Sequence, residues 1–111
     1  MQPGAVYIVR FWVEPGSLQT VLDWLDHGHI AEVVDEPGFL WAKRVRLLND
    51  DPDDGWPGFA MIYGIETREH LDRYFAGEAP KRFAAERAEK GLDDALRIER
   101  DWGVVEFAAD A

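Results

Sequence analysis

Pro-Gly pairs at residues 15–16, 37–38 and 57–58 cut this chain into patterned segments, and each pair ends or begins one. Ahead of the first pair, Ala5–Glu14 (AVYIVRFWVE) is dense in β-branched and aromatic residues and reads as a strand. After it, Ser17 is placed to cap a helix whose apolar positions Leu18, Val21, Leu22 and Leu25 recur at helical spacing. That helix extends toward Val34 with a weak point at Gly28, and Glu36-Pro37-Gly38 stops it. Phe39–Leu48 (FLWAKRVRLL) predicts a second strand, Asn49–Gly58 a polar turn, and Phe59–Glu66 (FAMIYGIE) a third strand. Helical spacing resumes near Thr67, with Leu71, Tyr74 and Phe75 on one side. Gly77–Pro80 interrupts it, and Pro80 suits the first position of a further helix, Lys81–Lys90, which Gly91 ends. Trp102–Phe107 (WGVVEF) predicts the last strand, with a frayed tail over 108–111.

The order β-α-β-β-α-β predicts a ferredoxin-like α+β fold, a four-stranded antiparallel sheet with both helices on one face. At 111 residues the chain reads as one domain over 1–111, large enough to bury a core. Twenty-two acidic against 12 basic side chains give a net charge of −10, a field that repels phosphate backbones and anionic lipids. Neither nucleic acid nor a membrane is an expected partner. The N-terminus reads as a strand rather than a signal peptide, and no apolar run is long enough to span a bilayer. With no cysteine there is no disulfide or thiolate chemistry, and a cytoplasmic protein is expected.

The strands are too apolar for a sheet covered on one side only. In the first strand one parity holds Tyr7, Val9, Phe11 and Val13, and the other Val6, Ile8, Arg10 and Trp12. In the third, the small set Ala60, Ile62 and Gly64 suits close helix approach, which sends Phe59, Met61, Tyr63 and Ile65 to the opposite face. Val6, Ile8, Trp12, Phe59, Met61 and Ile65 would then form an exposed patch of roughly several hundred Å², more than monomers usually tolerate. A homodimer joined sheet face to sheet face covers it, a contribution on the order of 10 kcal/mol at ~25 cal/mol per Å² before association costs. The competing arrangement is a monomer whose last segment folds over that face.

Helical rotation of ~100° per residue separates the two histidines of the first helix: His29 falls within the Leu18, Leu22, Leu25 stripe, and His27 opposite it. They cannot share a metal on a regular helix. A half-buried His29 fits either a catalytic base or a core histidine bonded to a backbone carbonyl or to Asp26. Arg10, on the face turned from the helices, needs a ligand anion or a carboxylate, with Glu106 a candidate. Trp12, Trp41 and Tyr63 fit an aromatic ligand wall or plain core. Asp50, Asp51, Asp53 and Asp54 lack the glycine and glutamate spacing of an EF-hand and read as a solvated turn. No cofactor or metal motif is present.

Two blocks carry a family likeness: Asp26–Arg46 (DHGHIAEVVDEPGFLWAKRVR), and residues 71–86 (LDRYFAGEAPKRFAAE). Over roughly 5–107 the sequence resembles the dimeric α+β barrel superfamily, above all small bacterial members related to EthD-like proteins and antibiotic-biosynthesis monooxygenases. The resemblance implies two ferredoxin-like protomers pairing their sheets into a barrel. Members include cofactor-independent monooxygenases, polyketide cyclases, isomerases and haem-degrading enzymes, so the fold leaves the reaction open. Plant-type cyclases of the superfamily carry a histidine motif after the second helix, and FAGEAP at 75–80 has no histidine. The expectation is a homodimer that holds a small, mainly apolar or aromatic molecule between sheet and helices, with His29 as base and Arg10, Trp12, Trp41 and Tyr63 as ligand contacts. The rival is a non-catalytic binding or accessory protein, and a third reading makes His29 an axial haem ligand.

Overall fold

The computed structural model describes residues 2–49 and 55–110, so the aspartate-rich turn at 50–54 lies outside the described residues. The chain runs β1 (Ala5–Val13), α1 (Leu18–Trp24), a wide turn of helix (Leu25–His29), α2 (Ile30–Val34), β2 (Phe39–Arg46), β3 (Gly58–Ile65), α3 (Arg68–Ala76), α4 (Ala79–Glu89) and β4 (Leu96–Val104). The strands form one antiparallel sheet in the order β2-β3-β1-β4, the ferredoxin-like α+β arrangement.

Local chemistry places most boundaries. A tight turn over Pro15–Ser17 leads into α1, and Ser17 makes no side-chain cap bond. Thr67 does cap α3, its Oγ1 accepting from the His70 N–H at 3.2 Å. Gly38 takes φ +82°, and a Cβ there would lie 2.2 Å from the His70 ring, so the Pro-Gly-Phe turn into β2 requires glycine. Pro80 sits in the first turn of α4, where a missing N–H costs little. The weak point at Gly28 is a real break: His27 (φ −104°, ψ 15°) and Gly28 (φ 179°, ψ −59°) leave helical geometry.

Register corrects the expected faces of β3. Tyr7 pairs with Tyr63 and Phe11 with Phe59, so Phe59, Met61, Tyr63 and Ile65 share the helix-facing side with Tyr7, Val9, Phe11 and Val13. There they build the core with Val21, Leu25, Val33, Leu71, Tyr74 and Phe83. The small residues of β3 make room for indoles rather than helices. A Cβ on Gly64 would lie 2.4 Å from the Trp41 ring, and one on Gly58 2.7 Å from the Trp12 Nε1. The outer face therefore carries Val6, Ile8, Arg10 and Trp12 beside Ala60, Ile62, Trp41, Lys43 and Val45, bordered by Arg97, Glu99 and Asp101 of β4. Of the six residues expected in an outer apolar patch, Phe59, Met61 and Ile65 are core instead.

The last strand also departs from expectation, occupying 96–104 rather than 102–107. Leu96, Ile98, Arg100, Trp102 and Val104 fall on the helix-facing parity and Arg97, Glu99 and Asp101 on the other, an alternation that the charges obscure. Arg10 therefore meets Glu99 directly across the ladder at 2.8 Å and Asp101 at 3.5 Å, not Glu106.

Candidate functional site

Between the helix-facing side of the sheet and the helices lies a cavity of about 380 Å³. That volume is within the range of small-molecule sites, roughly 300–1,000 Å³. Its walls are apolar and rich in aromatic rings, with one group gathered from the four elements β1, β3, β4 and α3. Tyr7 lies 5.9 Å from both Tyr63 and Tyr74, and 5.1 Å edge-on to Phe75, which in turn packs 5.0 Å from Trp102. Burial pushes the Tyr63 and Tyr74 hydroxyls well up from the ordinary phenol value, and that of Tyr7 upward as well, although Arg100 opposes the shift at Tyr7. All three are neutral donors at neutral pH.

His29 enters this wall from the broken helix. The local distortion at His27 and Gly28 separates α1 from α2, and Arg44 of β2 pairs with Asp26 just before it. That pairing holds the Asp26 carboxyl below its usual value, chiefly through the hydrogen bond from Arg44. His27 is exposed and His29 half-buried, the separation expected from helical phase. The His29 ring stacks on Trp24 at 4.2 Å and meets Phe83 edge-on at 5.0 Å. Trp24 is itself held by Glu86, whose carboxylate accepts its indole N–H at 3.1 Å. Desolvation lowers the His29 pKa from 6.5 to about 4; Glu86 opposes that shift and Arg87 adds to it. The imidazole is therefore neutral at pH 7. Its Nδ1 is buried without a hydrogen-bond partner among the described residues, and Asp26 is bound to Arg44 instead. The Nδ1 edge is turned away from open space, so it is the rest of the His29 ring that lines the cavity and can meet a ligand.

The sequence-derived contacts divide between the two sides of the sheet. His29 and Tyr63 line the cavity; Arg10, Trp12 and Trp41 do not, because their parity sends them to the outer face. Pattern reading missed Trp24, Phe83 and Arg100, all of which line the cavity. Arg100 was traceable in principle, as a cation on the apolar parity of an alternating strand; Trp24 and Phe83 carry no signal that separates a cavity wall from ordinary core. Among the described residues, no three histidine or acidic side chains come together as metal ligands.

Fold and cavity together define a ferredoxin-like α+β protein with an aromatic chamber between its sheet and its helices. Residues 4–94 match the model of a family described as a domain of unknown function, DUF4286, and the chain belongs to that family. No curated protein matches the sequence. Among solved structures, a dimeric ferredoxin-like protein from an uncultured marine organism superposes with TM-score 0.73 at 12% identity, over 97% of this chain and 100% of that one. SnoaB, a cofactor-independent oxygenase from Streptomyces nogalater, gives 0.63 at 16% identity with 96% of each chain covered. The monooxygenase from the ActVA-Orf6 gene of Streptomyces coelicolor, in complex with nanaomycin D, gives 0.65 at 20% identity over 98% of this chain and 93% of that one. At such identities the likeness is one of fold.

Proposed function

We propose that this protein is a cytoplasmic homodimer that binds a small, mainly apolar or aromatic molecule in the cavity between sheet and helices. The observation that carries the reading is the aromatic-rich cavity of about 380 Å³ with the neutral imidazole of His29 among its lining side chains. Support for pairing comes from the outer sheet face, where Val6, Ile8 and Ile62 remain partly open to solvent, and from fold neighbours described as dimeric ferredoxin-like proteins. In the catalytic form of the proposal, His29 takes a proton from an activated O–H or C–H of the bound aromatic. That step opens isomerisation or cyclisation, or, with dioxygen as the co-substrate that takes the electrons, oxygenation without a cofactor, and cofactor-independent oxygenases share this fold.

A specific observation favours a second reading, a non-catalytic binding or accessory protein. A pKa of about 4 makes His29 a weak base at pH 7, better suited to accepting a ligand hydrogen bond than to holding a proton. Both forms are tested by fluorescence titration with 2-naphthol, alongside sedimentation of the same samples. The expected result is a dimer that binds the probe, and a His29→Ala variant that remains dimeric and loses binding. A monomer in sedimentation would overturn the assembly, and unchanged binding by His29→Ala would overturn the role of His29. Turnover of a co-purifying ligand by wild type but not by the variant would decide for the enzyme.

A further inference from the structure

Among the described residues that line the cavity, Arg100 and Trp102 alone are exposed, and all others are buried or half-buried. The mouth therefore lies beside them, along the edge strand β4. Arg100 stands opposite Val9 on the helix-facing parity, between the apolar side chains of Ile98 and Trp102. Its Nε donates to the Tyr7 hydroxyl at 3.1 Å, which leaves its two terminal nitrogens. The second cavity-lining guanidinium, Arg87, is neutralised by Asp93 at 2.6 Å. For Arg100 the described residues provide no carboxylate within ion-pair distance.

In a chain with 22 acidic side chains, a cavity-lip cation left without a carboxylate invites a ligand anion. Tyr7 fixes one edge of the guanidinium, so its planar fork is partly oriented before a ligand arrives. His29 belongs to a separate group of side chains, with Trp24, Phe83 and the nearby Glu86 carboxylate. Besides its tyrosine hydroxyls and the neutralised Arg87, the cavity thus has a neutral imidazole near a carboxylate and a cation at the mouth.

We propose that the ligand is an aromatic carboxylic acid, with its ring among Tyr7, Tyr63 and Tyr74 and its carboxylate paired with Arg100 at the mouth. This deepens the reading of the cavity as a small-molecule site and rests on it. The acid group enters last and stays near water, so binding does not require the anion to be fully desolvated. The ring travels inward to the apolar walls.

The test is a calorimetric titration of the full chain with 2-naphthoate and with 2-naphthylmethanol, which has the same ring system and a neutral polar group. The acid is expected to bind about tenfold or more tightly than the alcohol, and the two to compete, as a charge-assisted hydrogen bond predicts. Arg100→Gln should remove most of that preference, with the alcohol's affinity changed by no more than about twofold. Arg100→Lys should keep part of the preference, because the charge stays while the fork is lost. Equal affinities in the wild type, or a preference that survives in Arg100→Gln, would overturn the anion site and leave the cavity reading intact. Failure of both probes to bind would overturn both.

Discussion

On the helix side of the sheet, aromatic side chains meet one another: Phe11 stacks on Phe59 at 5.3 Å and Tyr7 on Tyr63 at 5.9 Å. On the outer side, Trp12 and Trp41 lie against Gly58 and Gly64, in space that a Cβ would occupy. Side-by-side rings of the sheet form one wall of a cavity beneath the helices; an indole over a glycine fills its own gap. The same residue class therefore produces a hollow wall on one face and a closed surface on the other, according to what stands across the ladder.

Several measurements would break or sharpen this contrast. The largest effect is expected from Phe59→Ala, which removes a buried ring from the helix side and should cost about 3–5 kcal/mol in chemical denaturation. Val45→Ala, on the outer face and 40% exposed in the single protomer, should cost clearly less, about 1–2 kcal/mol at most where a second protomer covers that face. Similar losses at the two positions would erase the distinction between the faces.

Protonation of His29 ranks next. Its folded pKa of about 4 lies below the ordinary 6.5, so between those values the unfolded chain binds more protons. The associated stability is complete above pH 6.5 and is lost as pH falls toward 4, a contribution on the order of 3 kcal/mol. Denaturation curves across that range should show this slope in wild type and lose it in His29→Gln. A histidine resonance assigned to His29 that titrates near 6.5 would contradict its burial.

Gly64→Ala comes third. It forces Trp41 off its seat, and overpacking of this kind should cost about 1–3 kcal/mol, read as a lowered Tm. An unchanged Tm would show that the indole moves freely and that the outer face is less closely fitted than the inner. The smallest effect belongs to Glu99→Gln. Its pair with Arg10 joins side chains 59% and 38% exposed in the single protomer, so the loss to the protomer's own stability should stay within about 1 kcal/mol at low salt and shrink further in high salt.

Much of the fold was legible in local chemistry. Pro-Gly breaks, Thr67 and Pro80 mark real boundaries, and Gly28 marks a real interruption of the first helix. The strand at 96–104 was not legible, because Arg97, Glu99, Arg100 and Asp101 hide an alternation in which four of five inward positions are apolar. Three of the five candidate site residues lie away from the cavity for a related reason. Arg10, Trp12 and Trp41 are rich in chemistry, but chemistry does not specify a face, and parity within one strand has no sign until a partner strand is aligned with it.

Element order, the helix break, the histidine on the apolar stripe and the acidic charge are properties of the linear chain, since each depends on residues within a few positions of one another. Which face of β3 meets the helices, which carboxylate meets Arg10, and that Arg100 lines the cavity with no carboxylate partner among the described residues depend on strand register. Register is a cooperative outcome of packing, here of Tyr7 on Tyr63 and of Trp41 on Gly64, and it exists only once distant segments are side by side.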